Sequence, residues 1–222
     1  MKVIDNVYVV PDVKCNTYVI ADADGLTIID AGLPRSHIRI LRYIAGLGKA
    51  AGDVRRILIT HADWDHVGGL GPLHKATRAR TYASRIEADA MLHGRSSRPT
   101  KTPASTSPVR RLMRFFMSPR PFRVDEILAD GQVLPVLGGL QVIDTPGHSP
   151  GHISLFSASA AILFCGDSMI TDENGIHGSR PIFTWDADKA SAAVRRQAAL
   201  GARILCSGHG PVVMDAAGKF PV

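Results

Sequence analysis

The chain has few cysteines and no long apolar run. Its three cysteines, Cys15, Cys165 and Cys206, lack the paired spacing of a disulfide framework or a cysteine-rich metal site. We therefore expect them to be reduced and packed, which favours a cytoplasmic protein over a secreted one. No segment approaches the roughly 20 apolar residues that a membrane-spanning helix needs. The first ten residues are too polar for a signal peptide, so neither secretion nor membrane insertion is predicted.

Positive charge is concentrated in one segment. The formal net charge is +6 at neutral pH, and residues 94–123 contain eight basic residues and no acidic one. The rest of the chain is therefore slightly acidic, which disfavours an extended nucleic-acid groove. The segment begins with Ser, Thr and Pro and continues as VRRLMRFFM, which predicts a flexible start followed by a short helix.

The length of 222 residues, 45% of them hydrophobic, is enough to bury a substantial core. We expect one domain over residues 1–222, with the basic segment at about 94–123 as an insert. Helices are predicted from Pro34, after Gly69, and over residues 84–93 and 187–200. The predicted strands cover residues 3–10, 17–21, 26–30, 56–60, 80–83, 132–136, 139–144, 152–157, 161–167 and 203–207. This order favours packed sheets with helices outside.

Side chains that can bind metals follow four of the predicted strands. The stretch THADWDHVGG comes directly after the apolar run RILI, and the other three groups follow strands in the second half of the chain. Strand ends are where a rigid scaffold can bring side chains from distant segments to one point. Imidazole and carboxylate groups are ligands for zinc, iron and manganese. The candidate ligands are His61, Asp63, Asp65, His66, His148, Asp167 and His209.

Seven ligands are too many for one tetrahedral ion. They suit two ions that share a carboxylate, and two ions ~3.5–4 Å apart are a common arrangement for activating a water molecule. The sequence therefore predicts a dinuclear metal site.

The segments THADWDH, TPGHSPGH, CGDS and SGHGP, in this order and at these separations, resemble the signature of the metallo-β-lactamase fold superfamily. The resemblance runs from IDAG at Ile29 to the glycine after His209. It implies an α+β fold, namely an αββα sandwich of two mixed β-sheets with helices on the outer faces. The active site would lie at the sheet edge between the two halves.

The resemblance also implies a role for each ligand. One metal ion would be bound by His61, Asp63 and His148. The second would be bound by Asp65, His66 and His209, with Asp167 bridging the two. Asp30, in IDAG, matches an aspartate beside the site that would orient a ligand histidine.

One position departs from the usual His-x-His-x-Asp-His pattern, because Asp63 stands where the second histidine is common. A third carboxylate makes the site harder and more anionic, which moves its preference toward manganese or iron. We expect two divalent ions, with zinc first and manganese or iron as alternatives. The bridging position carries Asp167 where several true β-lactamases have cysteine, so antibiotic hydrolysis is not the expected activity.

The expected function is a hydrolase that activates a bridging water to cleave an ester, lactone or thioester bond of a small substrate, with Asp65 also carrying a proton. Two alternatives stay open. The basic insert favours a phosphodiesterase or nuclease, and iron in the site would favour a persulfide dioxygenase-like enzyme.

Substrate contacts are harder to assign. Trp64 either lines the substrate pocket or anchors its loop. The insert is a solvated surface, a lid, or a homodimer contact through Leu112, Phe115 and Phe116, and its arginines would suit an anionic substrate. The expected partner is thus a small, anionic substrate, with a second copy of the chain as the other candidate and neither membrane nor nucleic acid.

Overall fold

Two β-sheets pack face to face in the computed structural model, which describes residues 1–11, 13–99 and 118–222. The first sheet is antiparallel from β1 to β4 and parallel from β4 to β7. Its seven strands, in their order across the sheet, are β1 (Lys2–Ile4), β2 (Val7–Val9), β3 (Tyr18–Asp22), β4 (Gly25–Ile29), β5 (Val54–Leu58), β6 (Arg80–Ser84) and β7 (Glu126–Leu128).

The second sheet has the order β14-β11-β10-β9-β8 and is antiparallel except for the parallel pair β11 and β14. A separate hairpin, β12 and β13, follows β11. These strands are β8 (Val133–Leu134), β9 (Leu140–Asp144), β10 (Ile153–Ser157), β11 (Ile162–Gly166), β12 (Met169–Asp172), β13 (Gly175–Gly178) and β14 (Ile204–Ser207).

Helices cover the outer faces of both sheets. Helices α1, α3 and α4 pack on the first sheet, and α5 packs on the second. The described helices are α1 (Ser36–Gly46), α2 (Trp64–Val67), α3 (Leu70–Thr77), α4 (Arg85–Leu92) and α5 (Ala187–Ala198), with single 3₁₀ turns at Ala51–Asp53 and Pro181–Phe183. The predicted αββα sandwich is therefore confirmed.

The central core lies between the two sheets. Tyr18 and Leu58 of the first sheet and Leu155 and Phe164 of the second belong to one buried apolar cluster. The rings of Tyr18 and Phe164 meet edge to face with centroids 5.2 Å apart. Because strand side chains alternate between faces, each sheet contributes one apolar face here and a second one to its helices.

Several sequence predictions are corrected in detail. The strand predicted over residues 3–10 is two strands, β1 and β2, because Asp5 and Asn6 form a turn and the chain folds back as a hairpin. The strand predicted over residues 132–136 is reduced to β8, since Pro135 has no N–H to pair. The hairpin β12–β13 was not predicted. The three cysteines are free and buried, as expected.

Two further expectations concern the helix in the basic insert and membrane-spanning helices. The helix predicted within the insert, with Leu112, Phe115 and Phe116, lies outside the described residues. Within the ranges that the structure describes, no helix is both long and apolar enough to cross a membrane.

Truncating the ring between the sheets tests this packing. Phe164→Ala should lower the free energy of unfolding by about 3–5 kcal/mol, because it leaves a cavity at the centre of the sandwich. Val133→Ala, at a side chain that is 60% exposed, is the control and should change it by less than about 0.5 kcal/mol. Denaturant unfolding in a chelating buffer measures both, and similar values for the two variants would contradict the assigned core.

Candidate metal centre

The polar cluster forms where strands from both sheets end. His61 follows β5, His148 follows β9, Asp167 follows β11 and His209 follows β14. Backbone hydrogen bonds tie these ends together: Ile153 N donates to Thr60 O at 3.1 Å, across the two sheets, and Gly208 N donates to Gly166 O at 2.7 Å. The loops that carry the polar side chains are thus anchored on a rigid edge.

The structure brings all seven candidate ligands together. They fall into three overlapping groups, and within each group the nearest ligand atoms lie within 4.8 Å of one another. The groups are His61, Asp63 and His148; Asp65, His66 and His209; and His61, His66 and Asp167. The first two coincide with the two ligand triads that the sequence resemblance implies.

All four histidines of these groups share one orientation. Each Nδ1 faces a protein oxygen, and each Nε2 points toward the carboxylates in the middle of the cluster. The Nδ1 contacts are His61 to Thr60 Oγ1 at 3.0 Å, His66 to Asp30 Oδ2 at 2.8 Å, His148 to Ser179 Oγ at 2.9 Å and His209 to Lys14 O at 3.2 Å. An imidazole that donates its Nδ1 proton to such an oxygen leaves its Nε2 lone pair free to bind a central cation.

Asp30 and Thr60 support two of these histidines. Asp30 adopts a left-handed backbone conformation with φ 60°, which few residues other than glycine and asparagine or aspartate tolerate. Its carboxylate accepts from Thr60 N at 2.9 Å and Thr60 Oγ1 at 2.8 Å, as well as facing His66. The geometry is the one that an orienting role for Asp30 requires.

Asp167 lies between the two triads. Its Oδ1 is 3.2 Å from His66 Nε2, and its Oδ2 is 3.4 Å from His209 Nε2 and 3.8 Å from His148 Nε2. The backbone N–H of Asp167 donates to His152 Nε2 at 3.0 Å. Gly166, at φ 51°, makes this possible, because a Cβ there would lie 2.6 Å from His152 Nε2.

Charge in the cluster favours a bound cation. Burial raises the pKa of Asp63, yet hydrogen bonds with His148 and His61 hold it well below its usual value. Burial likewise raises the pKa of Asp167, which His66 and His209 nevertheless depress. Burial lowers the pKa of His209, but hydrogen bonds with Asp167 and Asp65 raise it to about 9. The carboxylates thus stay ionised and attract positive charge, either as protons on imidazole or as a metal ion.

Two further observations fit a metal ion. Among the described residues, His61 Nε2 and Asp167 Oδ1 are buried side-chain atoms without a hydrogen-bond partner. Buried polar atoms are nearly always satisfied, so such a pair at the centre of a ligand cluster suits the binding of a cation. Gly208 also leaves room here, because a Cβ would stand 2.2 Å from Asp167 Oδ1. The imidazole and carboxylate donors therefore suit a divalent metal.

Sequence reasoning missed Glu87, which lies fully buried beside the site. Its carboxylate accepts four hydrogen bonds, from Ala62 N at 2.8 Å, Ser97 Oγ at 2.7 Å, Ser149 Oγ at 2.7 Å and Gly151 N at 3.0 Å. It therefore joins the loop of His61, the loop of His148 and the start of the insert. The pattern Ser-x-x-Glu at Ser84 indicates a helix cap, and nothing local in the sequence indicates these distant contacts.

Asp63 has a partner that was also missed. Arg98 Nη2 pairs with Asp63 Oδ2, and Arg98 Nε lies 3.4 Å from Oδ1. Ser96 Oγ donates to Asp63 Oδ1 at 2.6 Å, while Oδ2 faces His148 Nε2 at 3.1 Å. The first residues of the insert thus contact a candidate ligand directly.

A cleft of about 150 Å³ opens onto the cluster. Its walls include Ile170, Ser179, Arg180 and Phe183 together with Arg98 and the ligand side chains. Trp64 lines a wider neighbouring cleft with Leu33 and Pro119, which agrees with the pocket-lining alternative for this residue. A small molecule can therefore reach the candidate metal centre from solvent.

Removing the Glu87 carboxylate tests its positioning role. Glu87→Ala leaves four donors unpaired, three of them buried, and should lower the free energy of unfolding by about 3 kcal/mol, with Glu87→Gln in between. Metal content per chain, measured by elemental analysis, should fall because both ligand loops lose their anchor. The exposed Glu173→Ala is the control, and equal stability and metal content in the Glu87 and Glu173 alanine variants would contradict the role.

Comparisons with known proteins agree with the fold. Residues 10–209 match the Metallo-beta-lactamase superfamily. A probable metallo-hydrolase, YflN of Bacillus subtilis, is 27% identical over 215 residues that cover 88% of this chain and 80% of that protein. An N-acyl homoserine lactonase of Bacillus thuringiensis is 25% identical over 205 residues, covering 81% of this chain and 73% of that protein.

Solved structures also agree with the fold. A Cronobacter sakazakii metallo-beta-lactamase described by a HARLDQ motif superposes with a TM-score of 0.71 at 25% identity, covering 92% of this chain and 75% of that one. A metallo-beta-lactamase family protein of Thermus thermophilus superposes with a TM-score of 0.74 at 22% identity, covering 97% of this chain and 77% of that one. The chain belongs to the metallo-β-lactamase superfamily and is a hydrolase of that superfamily.

Proposed function

We propose that this enzyme binds two divalent metal ions and cleaves an ester, lactone or thioester bond of a small substrate. The observation that carries the proposal is the shared orientation of the four histidines, whose Nε2 atoms converge on the carboxylates. Neutral imidazoles whose Nε2 lone pairs face carboxylates are stabilised when a divalent cation lies between the two kinds of group.

The proposed ligand sets follow the two triads. The first ion is bound by His61, Asp63 and His148, and the second by Asp65, His66 and His209. The position of Asp167, within 3.4 Å of a ligand nitrogen of the second triad and 3.8 Å of one of the first, supports a bridging role. We propose zinc as the metal, with manganese or iron as alternatives.

When bound, such ions lower the pKa of a water molecule toward neutrality and polarise the bond to be cleaved. The protein's own side chains then orient the reacting groups and transfer protons. Asp65 lies at the floor of the cleft with its carboxylate 3.3 Å from His209 Nε2. It is the carboxylate best placed to take a proton from water and return it to the leaving group.

The substrate class is supported by the relatives and by the cleft. Besides the lactonase, a hydroxyacylglutathione hydrolase of Ectopseudomonas mendocina is 30% identical over 154 residues, which cover 68% of this chain and 46% of that protein. The cleft is small, and Arg180 on its wall has no ion-pair partner among the described residues. We propose that Arg180 meets an anionic group of the substrate. The buried free cysteines favour a cytoplasmic location.

A substrate panel tests the proposed reaction. The zinc-loaded protein would be assayed with an N-acyl homoserine lactone, an aryl ester, a hydroxyacylglutathione thioester, an aryl phosphodiester and a chromogenic β-lactam. We expect turnover of at least one of the first three, loss of that activity on chelation and its return with zinc. Cleavage of the phosphodiester or the β-lactam alone, or oxygen uptake that requires iron, would contradict the proposal.

Deleting the bridging carboxylate tests the ligand assignment. Asp167→Ala should lose most of its metal and at least about 100-fold in kcat/KM, since even residues behind the ligands are worth 10–100-fold. Asp215→Ala, at an exposed aspartate of the C-terminal segment, is the control. A folded Asp167 variant with full metal content would show that the assignment is wrong.

A further inference from the structure

The start of the insert places the positively charged side chain of Arg98 beside Asp63. Asp63 is the one ligand position where this chain departs from the usual motif. Asp63 brings a negative charge to a position that is commonly a neutral histidine. The guanidinium of Arg98 contacts both carboxylate oxygens of Asp63. The Asp63 side chain is 8% exposed and the Arg98 side chain 24%, so water screens this ion pair only in part.

Arg98 is held in place by more than its ion pair. Its Nη1 donates to the carbonyl of Phe183 at 2.7 Å, and its Cζ lies 5.6 Å from the centre of the Phe183 ring. Its backbone N–H donates to Ser96 Oγ at 3.2 Å, and that same hydroxyl donates to Asp63. The guanidinium would therefore remain beside the first triad even if the carboxylate were removed.

We infer that Arg98 is the charge partner of Asp63, so that the two side chains together take the place of the usual histidine without adding net charge to the site. The pair presents an oxygen ligand, Asp63 Oδ2, toward His61 and His148, with distances of 3.6 Å and 3.1 Å to their Nε2 atoms. The positive charge of Arg98 cancels the negative charge that Asp63 adds. The pair is neutral overall, like the histidine that is common at position 63. This inference rests on the proposed function, because it takes the first triad as a metal position.

Charge compensation by Arg98 changes two predictions that follow from the motif alone, namely the preferred metal and the effect of Asp63→His. A third carboxylate by itself moves the site toward manganese or iron, but a compensated carboxylate adds no net charge and leaves zinc favoured. The motif alone also predicts that Asp63→His restores the usual pattern and keeps the metal. With Arg98 present, the same substitution leaves an unpaired, partly buried cation next to a divalent ion, which weakens binding at the first position.

A double-mutant cycle separates the two expectations. The proteins are the wild type, Asp63→His, Arg98→Met and the double variant Asp63→His with Arg98→Met. Each is stripped with a chelator and titrated with zinc against a chromophoric competitor, and the ions bound per chain are counted by elemental analysis. Arg95 is the matched control, because it belongs to the same segment but pairs with Asp89 at the surface.

We expect Asp63→His to bind its first-position zinc at least about tenfold more weakly than the double variant, because only the latter lacks the unpaired cation. Combining Asp63→His with Arg95→Met should not restore the affinity for zinc. Equal zinc affinity in Asp63→His and in its combination with Arg98→Met would overturn the inference.

The Arg98 variants keep the test informative if Asp63→His does not fold. Arg98→Met leaves Asp63 as an uncompensated anion and should bind first-position zinc more tightly than the wild type, whereas Arg98→Lys keeps the charge and should resemble it. Weaker zinc binding in Arg98→Met would show that Arg98 only positions the carboxylate and would overturn charge compensation. A wild type that binds no zinc would instead overturn the proposed function.

Discussion

The need to balance buried negative charge governs this site. Asp63 and Asp167 are both buried at the sheet edge, and desolvation alone would favour their neutral forms. Hydrogen bonds with the convergent imidazoles keep both carboxylates ionised. In the proposed site, divalent ions between the triads and Arg98 beside Asp63 supply the compensating positive charge. The scaffold serves this balance by ending strands of both sheets at one edge and by tying their loops through Glu87.

The sequence motifs resemble those of a family with this sandwich, and they drew attention to seven side chains that the structure places together. Apolar runs that end in histidine or aspartate are visible in a linear sequence, and most predicted strands and helices lie where the structure has them. The first strand was misjudged because Asp5 and Asn6 can break an apolar run or form a turn within it. Arg98 and Glu87 could not be predicted, since each acts through residues tens of positions away.

Membership of the superfamily fixes the fold and the general chemistry, while the substrate depends on features outside the shared motifs. In this chain the candidate features are the small cleft, the guanidinium of Arg180, which has no ion-pair partner among the described residues, and the first residues of the insert. The insert was expected to be a solvated surface, a lid over the pocket or a dimer contact. Its described beginning instead contacts a candidate ligand, which links the least regular segment of the sequence to the metal centre.

We propose that two cations lie between the triads and share Asp167. Anomalous X-ray diffraction at the zinc absorption edge, from crystals of the zinc-loaded enzyme, would show this arrangement. We expect two anomalous peaks ~3.5–4 Å apart, one beside His61, Asp63 and His148 and the other beside Asp65, His66 and His209, with Asp167 reaching both. One peak alone, or zinc bound away from these triads, would contradict it.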